Sequence, residues 1–247
     1  MDLRKYFTGK SGVAIGLSGG ADSALLLWAA RKYAEDVTPY FASTVFGHPG
    51  DRESAETVCG LLGLDLRVVE VDLESDPDIM SNGPDRCYHC KRRIFGAILE
   101  AAYRDGCRIV ADGTNASDDV ADRPGFRALR ELGIVSPLRE CGLTKDDIRR
   151  MSREAGLPTW DRPSNSCLAT RMVTGIPIDL ERIRDANLAE EALRSMGYED
   201  HRVRTDGSVA TVVLRRDQVP EDEEARRRIV DVVSEFMGET VIGEETR

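Results

Sequence analysis

The feature that most constrains this chain is the hexapeptide Ser18-Gly19-Gly20-Ala21-Asp22-Ser23. It lies between a short apolar run, Val13 to Leu17, and a helical pattern that continues to Tyr33. A strand that turns through two glycines into a helix carries a backbone without Cβ atoms up to unpaired helix N–H groups, an arrangement that suits a polyanion. Ser18 and Ser23 add hydroxyl groups to that cluster. Asp22 would repel phosphate unless it holds a cation, so the segment reads as a site for a nucleotide with Mg2+. A strand-to-helix turn that merely uses glycine is the plain alternative, and the strand-loop-helix context favours the phosphate reading. The spacing fits neither a Walker A loop nor a dinucleotide fingerprint.

The segments that follow continue the same alternation. Strand-like runs at Thr38 to Val45, Leu66 to Val71 and Arg108 to Ala111 are separated by helical patterns at about Glu53 to Leu62 and Arg92 to Tyr103. Such alternation predicts an α/β fold, a Rossmann-like parallel sheet covered on both faces. Leu143 to Asp147 opens a further helix, with Thr144 as N-cap and acidic residues in its first turn, and this helix stops near Gly156. Thr159 to Pro177 carries Pro, Ser, Asn and Gly without periodicity and reads as loop. Beyond it come a helix from Leu180 to Met196, a hairpin of His201 to Thr205 and Val209 to Leu214, and a charged helix from Glu223 to Met237. A boundary near Gly175 therefore divides a nucleotide-type domain, residues 1–175, from a small α+β domain, residues 176–247.

Charge narrows the partners. Lys and Arg total 34 against 44 Asp and Glu, a formal net charge of −10. Phosphate backbones are held mainly by basic side chains, so this balance argues against nucleic acid. No stretch approaches membrane-spanning length and residues 1–12 lack the apolar run of a signal peptide, which points to a cytoplasmic protein without a membrane partner. In that reducing compartment the six cysteines (Cys59, Cys87, Cys90, Cys107, Cys141 and Cys167) read as metal-binding or catalytic thiols before they read as disulfides.

Two of them stand out by spacing. Cys87 and Cys90 lie one turn apart at a helix start, where the helix dipole and the neighbouring Arg86, Lys91 and Arg92 favour thiolate. The pair suits a metal, an iron–sulfur cluster or a redox dithiol. Cys167 sits in a polar loop between Arg162 and Arg171, two more cations that would favour thiolate, and has no packing reason to be there. Cys59 and Cys107 fall in apolar patterns and read as inert packing residues.

The hexapeptide resembles the PP-loop of the ATP-pyrophosphatases (the adenine nucleotide alpha hydrolase-like fold), which split ATP to AMP and pyrophosphate. That resemblance implies ATP contacts at Ser18, Gly19, Gly20, Asp22 and Ser23, with Gly113 and Thr114 of the Asp112-Gly113-Thr114-Asn115 turn on the other side of the nucleotide. Across nearly the whole chain, the segments Pro84 to Phe95, Asp112 to Gly125, Leu143 to Arg171 and Arg202 to Arg204 occur in the order of one group. They are similar to the LarE family, sulfur transferases of nickel-pincer cofactor synthesis. The resemblance implies that pyridinium-3,5-biscarboxylic acid mononucleotide is adenylated and sulfurated to thiocarboxylates by a homo-oligomeric enzyme.

The three-cysteine type implies a 4Fe-4S cluster on Cys87, Cys90 and Cys167; a type with only the late cysteine gives up that residue's own sulfur. Lys91 is placed to neutralise phosphate or carboxylate charge near the cysteine helix, and Arg171 belongs to the cofactor-binding set. Arg202 and Arg204 alternate with Val203 and suit the substrate phosphate, with a solvated strand face as the plain alternative. A tRNA 2-thiolation enzyme and a nucleotide- or metal-binding regulator without turnover are the other readings. Two segments depart from the family pattern, Ala121-Asp122-Arg123 before Pro124 and the C-terminal Glu244-Glu245-Thr246-Arg247.

Overall fold

The structure, a computed structural model, describes residues 2–118, 124–163 and 166–243. The chain divides into two units, the first built from Met1–Ile79 and Asp85–Asn165, the second from Met80–Pro84 and Ser166–Arg247. The loop that carries Cys167 thus belongs to the second unit.

The first unit holds a sheet of β1 (Val13–Gly16), β2 (Val37–Ser43), β3 (Arg67–Glu70) and β4 (Ile109–Ala111) in the order β3-β2-β1-β4. All of its pairings are parallel, with Val13 opposite both Val37 and Ile109. Its helices are α1 (Leu3–Phe7), α2 (Ala21–Tyr33), α3 (Pro49–Leu62), α4 (Pro77–Met80, whose last residue passes into the second unit), α5 (Arg86–Arg104), α6 (Pro124–Glu131), α7 (Pro137–Glu140) and α8 (Lys145–Glu154). Successive side chains of β1 point to opposite faces. Val13 and Ile15 join the cluster of Leu25, Leu26 and Leu27 of α2, whereas Ala14 joins Phe95 and Ile98 of α5 and Leu129 of α6. The sheet is therefore covered on both faces, as the alternation predicts. Each fully buried Leu, Ile or Phe contributes about 1.5–3 kcal/mol relative to exposure.

Several helices begin where their caps dictate. α3 starts at Pro49, earlier than the apolar pattern suggests, because proline suits the first helical position and the Asp51 carboxylate accepts from the His48 N–H at 3.2 Å. α5 starts at Arg86, so Cys87 lies in its first turn and Cys90 opens the second. α8 has the expected N-cap: Thr144 Oγ1 accepts from Asp147 N, and the Asp147 carboxylate accepts from Thr144 N.

In the second unit α9 (Leu180–Ser195) precedes β5 (Arg202–Thr205) and β6 (Ala210–Val213), and α10 (Glu223–Met237) leads into β7 (Thr240–Gly243). β5 pairs antiparallel with β6, and β7 pairs parallel with β6. Val203 and Val212 pack with Leu193 of α9 and with Ile229 and Val233 of α10. Gly207, at φ +97°, turns the hairpin, and the Asp206 carboxylate accepts from Ser208 N and Val209 N, which pulls its pKa down to about 2. Met80–Pro84 is tied into this unit by Asn82, whose Nδ2 donates to the carbonyls of Val173 (2.9 Å) and Ile176 (2.7 Å). The loop expected from Thr159 to Pro177 contains one 3-10 turn, Leu168–Arg171.

Candidate active site

The Ser18–Ser23 loop, called the PP-loop after the one it resembles, joins β1 to α2 through Gly19, at φ +76°. A Cβ there would stand 2.3 Å from the Asp51 carbonyl oxygen, so the position accepts glycine alone. The Gly19 carbonyl accepts two hydrogen bonds, from Ser54 Oγ at 2.8 Å and Arg162 Nη1 at 2.7 Å. Ser23 is buried, and its hydroxyl folds the loop: it donates to the Gly20 carbonyl at 3.3 Å and accepts from Ser18 N at 3.1 Å. Ser18 is exposed.

Two further loops of the same unit meet the PP-loop. A Cβ on Gly113 would lie 3.1 Å from Ser23 N and 3.4 Å from Asp22 Cβ, so the turn after β4 touches the start of α2. The Thr114 hydroxyl donates to Asp112, whose other oxygen accepts from Ser136 Oγ at 2.6 Å. From the start of α8, Lys145 places its Nζ 2.6 Å from Asp22 Oδ2, and its backbone N donates to Ser117 Oγ. Sequence reasoning passed over Lys145 as one more residue of a capped helix. The signal was available, because a lysine in a first helical turn opposes the dipole and needs a carboxylate to compensate.

Asp22 Oδ1 is buried and has no hydrogen-bond partner among the described residues. An unsatisfied carboxylate oxygen beside a phosphate-type loop is the hard donor Mg2+ takes, so Asp22 fits that ion.

The thiol-bearing helix lies in this unit as well. Cys87 is exposed and Cys90 half-buried, three residues apart on one helix face. Arg86 Nη2 stands 3.8 Å from Cys87 Sγ, whereas Arg92 donates to the Tyr88 hydroxyl, which in turn donates to Glu131. Lys91 Nζ lies 4.9 Å from the centre of the Phe95 ring. That ring packs on Gly16, where a Cβ would be 3.1 Å from Phe95 Cε1, so Lys91 stands near the carboxyl end of β1.

Arg162 and Arg171, which flank Cys167 in sequence, are both committed to carboxylates and carbonyls. Arg162 Nη2 donates to Asp51 at 2.9 Å while Nη1 holds Gly19, so this cation serves the PP-loop. Arg171, expected among the cofactor-binding residues, is 1% exposed. It donates from Nε and Nη2 to the two oxygens of Glu190, at 2.8 and 2.7 Å, and from Nη1 to the carbonyl and hydroxyl of Ser166. Arg202 and Arg204 leave β5 on the face opposite Val203; Arg204 is exposed, and Arg202 is buried with Nη1 3.6 Å from Asp200.

None of the six cysteines forms a disulfide. Burial, with the charges of Asp65 and Glu56, pushes the Cys59 thiol up to about 11, in keeping with a packing role. Within either unit, among the described residues, no group of three or more His, Cys, Asp or Glu side chains is gathered to hold a metal ion. Cys87 and Cys90 belong to the first unit and Cys167 to the second. Two soft thiols on one helix face suit an iron–sulfur cluster or zinc and not a hard cation. Ala121-Asp122-Arg123 and Glu244 to Arg247 lie outside the described residues. Among the described residues no helix is long and apolar enough to cross a membrane.

No protein-family profile matches the chain. It is similar to an uncharacterised protein of Synechocystis, 33% identical over 224 residues that cover 88% of this chain and 82% of the relative. A pyridinium-3,5-bisthiocarboxylic acid mononucleotide synthase of Lactiplantibacillus plantarum is 29% identical, over 82% of this chain and 74% of the relative. A tRNA-specific 2-thiouridylase of Thermotoga petrophila matches at 24% identity, over 59% of this chain and 52% of the relative.

Proposed function

Taking as premise that this chain belongs to the LarE family of the PP-loop ATP-pyrophosphatase superfamily, we propose that it activates a carboxylate with ATP and exchanges one of its oxygens for sulfur. The substrate that the synthase relative's name suggests is the corresponding pyridinium dicarboxylate mononucleotide. A carboxylate oxygen attacks the α-phosphorus of ATP, the bond to the bridging oxygen breaks, and pyrophosphate leaves. The resulting acyl-adenylate carries a good leaving group. A sulfur nucleophile adds to the carbonyl carbon, and AMP departs with the bonding pair.

The residues take the following parts. Ser18 and the Gly19–Gly20 backbone cradle the phosphates, and Asp22, one of whose oxygens Lys145 leaves open, would hold Mg2+ to neutralise phosphate charge. Lys91 balances anionic charge near the end of β1, and Arg202 and Arg204 bind the substrate phosphate. Cys87, Cys90 and Cys167 would hold a 4Fe-4S cluster, which would supply sulfide-level sulfur for the transfer. The second donor route uses Cys167 alone: its Sγ displaces AMP to form a thioester, a base removes the Cα proton, and the Cβ–S bond breaks to leave a thiocarboxylate and dehydroalanine. Mass spectrometry after turnover tells the routes apart, since only the second removes the elements of hydrogen sulfide from the chain.

The observation that carries this reading is the meeting of the PP-loop, Gly113 and Lys145 around an Asp22 with one unpartnered oxygen. Asp22→Ala is expected to lower carboxylate-dependent pyrophosphate release by about 10²-fold or more, as loss of a metal-holding charge at a phosphoryl centre does. Release at the wild-type rate would defeat the reading. Similarity to the thiouridylase supports tRNA thiolation as the rival, and tRNA binding that weakens steeply with salt would favour it.

A further inference from the structure

Within the second unit, one carboxylate connects three segments. Glu190 of α9 is 2% exposed. Its Oε1 accepts from Arg171 Nε (2.8 Å) and from the backbone N of Val203 (2.9 Å), and its Oε2 accepts from Arg171 Nη2 (2.7 Å). The Glu190 carbonyl accepts from His201 Nε2 at 2.7 Å. On the other side of the guanidinium, Nη1 donates to the Ser166 carbonyl (3.0 Å), Ser166 Oγ (3.0 Å) and Thr170 Oγ1 (3.1 Å). The Cys167 carbonyl closes the 3-10 turn by accepting from Thr170 N (3.0 Å) and Thr170 Oγ1 (2.8 Å).

Val203 is the residue between Arg202 and Arg204 on β5. The same carboxylate therefore ties to α9 the strand that carries the two arginines and, through Arg171, the turn that carries the thiol. A planar guanidinium that grips a carboxylate with one edge and a peptide carbonyl with the other acts as a rigid spacer. Apolar side chains of similar volume often fill a buried ion-pair position as stably, so what distinguishes this pair is the backbone it also holds, the Val203 N–H and the Ser166 carbonyl.

We propose that Arg171 and Glu190 are positioning residues that hold the Cys167 turn and the Arg202–Arg204 strand in one fixed frame, so that a nucleotide anchored by its phosphate presents its carboxyl carbon at the sulfur. The proposal rests on the sulfur-transfer reading for its purpose, but the clamp itself is testable without that reading.

The decisive variant is the double replacement Arg171→Met with Glu190→Leu, which removes both charges and keeps volume. Thermal unfolding checks that the unit remains folded. Hydrogen–deuterium exchange then reads the amide of Thr170 against those of α10. The expected result is faster exchange at residues 167–171 by about tenfold or more, as a local opening would give, with α10 unchanged. Equal protection of the turn in the double variant and the wild type overturns the clamp whatever the reaction is.

Burst and steady-state kinetics with the pyridinium dicarboxylate mononucleotide supply the second arm. Sulfur-transfer kcat is expected to fall about 10²-fold while the nucleotide Kd and the first-turnover burst of pyrophosphate release change by less than about threefold, the pattern of a misplaced reacting group. A parallel loss of the pyrophosphate burst, or a rise in Kd that accounts for the whole effect, would overturn the positioning role. Arg171→Lys, which keeps the charge but loses the fork, is expected to restore the fold without restoring kcat; full recovery of kcat with lysine would show that charge alone mattered. Loosening of the turn without any sulfur transfer by the wild type would instead defeat the proposed function and leave the clamp standing.

Discussion

In the first unit Lys145 and Asp22 pair with about a quarter of each side chain exposed, at 26% and 25%, whereas in the second unit Arg171 and Glu190 pair at 1% and 3%. Both are short cation–carboxylate contacts, yet their surroundings give them different work. Water can take over either partner of the first pair, so a metal or a phosphate group can enter at little expense and leave again. The second pair has no such substitute. Opening it would strand a charge in an apolar interior, and so it behaves as framework. Exposure, more than distance, separates an ion pair that exchanges with ligands from one that fixes geometry.

That contrast can be broken most directly by removing one partner from each. Arg171→Met alone is expected to destabilise the second unit by about 3–5 kcal/mol, because Glu190 is left charged and buried. Lys145→Met is expected to change stability by about 1 kcal/mol or less, while it does alter the ATP dependence of pyrophosphate release. Comparable losses in thermal unfolding for the two variants would remove the distinction drawn here.

A second test compares two glycines. Gly19→Ala sets a Cβ against the Asp51 carbonyl at a left-handed φ, where nothing can give way, and pyrophosphate release is expected to fall about 10²-fold through a displaced loop. Gly243→Ala sets a Cβ 2.5 Å from Thr211 Cγ2, the end of a side chain that can turn aside, and its effect on stability is expected to stay within about 1 kcal/mol. A Gly19→Ala variant with normal kinetics would show that the PP-loop backbone is not held as rigidly as its two accepted hydrogen bonds imply.

The smallest effect belongs to pH. His201 is 4% exposed, donates from Nε2 to the Glu190 carbonyl, and keeps Nδ1 buried without a partner among the described residues. Burial, the largest cause, lowers its pKa from the ordinary 6.5. The folded chain therefore takes up its proton later than the unfolded chain does. The associated stability is fully present above about pH 6.5 and is lost as pH falls below it, levelling off under the folded pKa. His201→Gln should flatten that part of the stability profile, measured as thermal midpoint between pH 8 and pH 5 at constant salt, conditions set by the titration range of histidine. An unchanged slope would assign it to other groups.

Much of the first unit was legible in the chain because its signals are local. The apolar β1, the glycines of the PP-loop and the Thr144 cap announce themselves over a few residues, and the parallel sheet follows from their alternation. What escaped has two physical origins. Short elements such as α7 and β7, each of four residues, are too brief for any periodicity, and α6 opens on Pro124-Gly125, a pair that reads as a breaker although proline is favoured at a first helical position. Other features depend on partners far away in sequence. Arg171 reads as a ligand-binding cation until Glu190 is found beside it, and Lys145 is unremarked until its ammonium meets Asp22.

The five residues Met80–Pro84 give the chain an unusual itinerary. It leaves the first unit after Ile79, contributes Asn82 to the second, returns at Asp85 to build the thiol-bearing helix, and crosses again at Ser166. Neither unit corresponds to one uninterrupted stretch of gene. A polypeptide begun at Ser166 would lack the amide that gathers the Val173 and Ile176 carbonyls, and during synthesis that amide must wait, already made, until those carbonyls leave the ribosome.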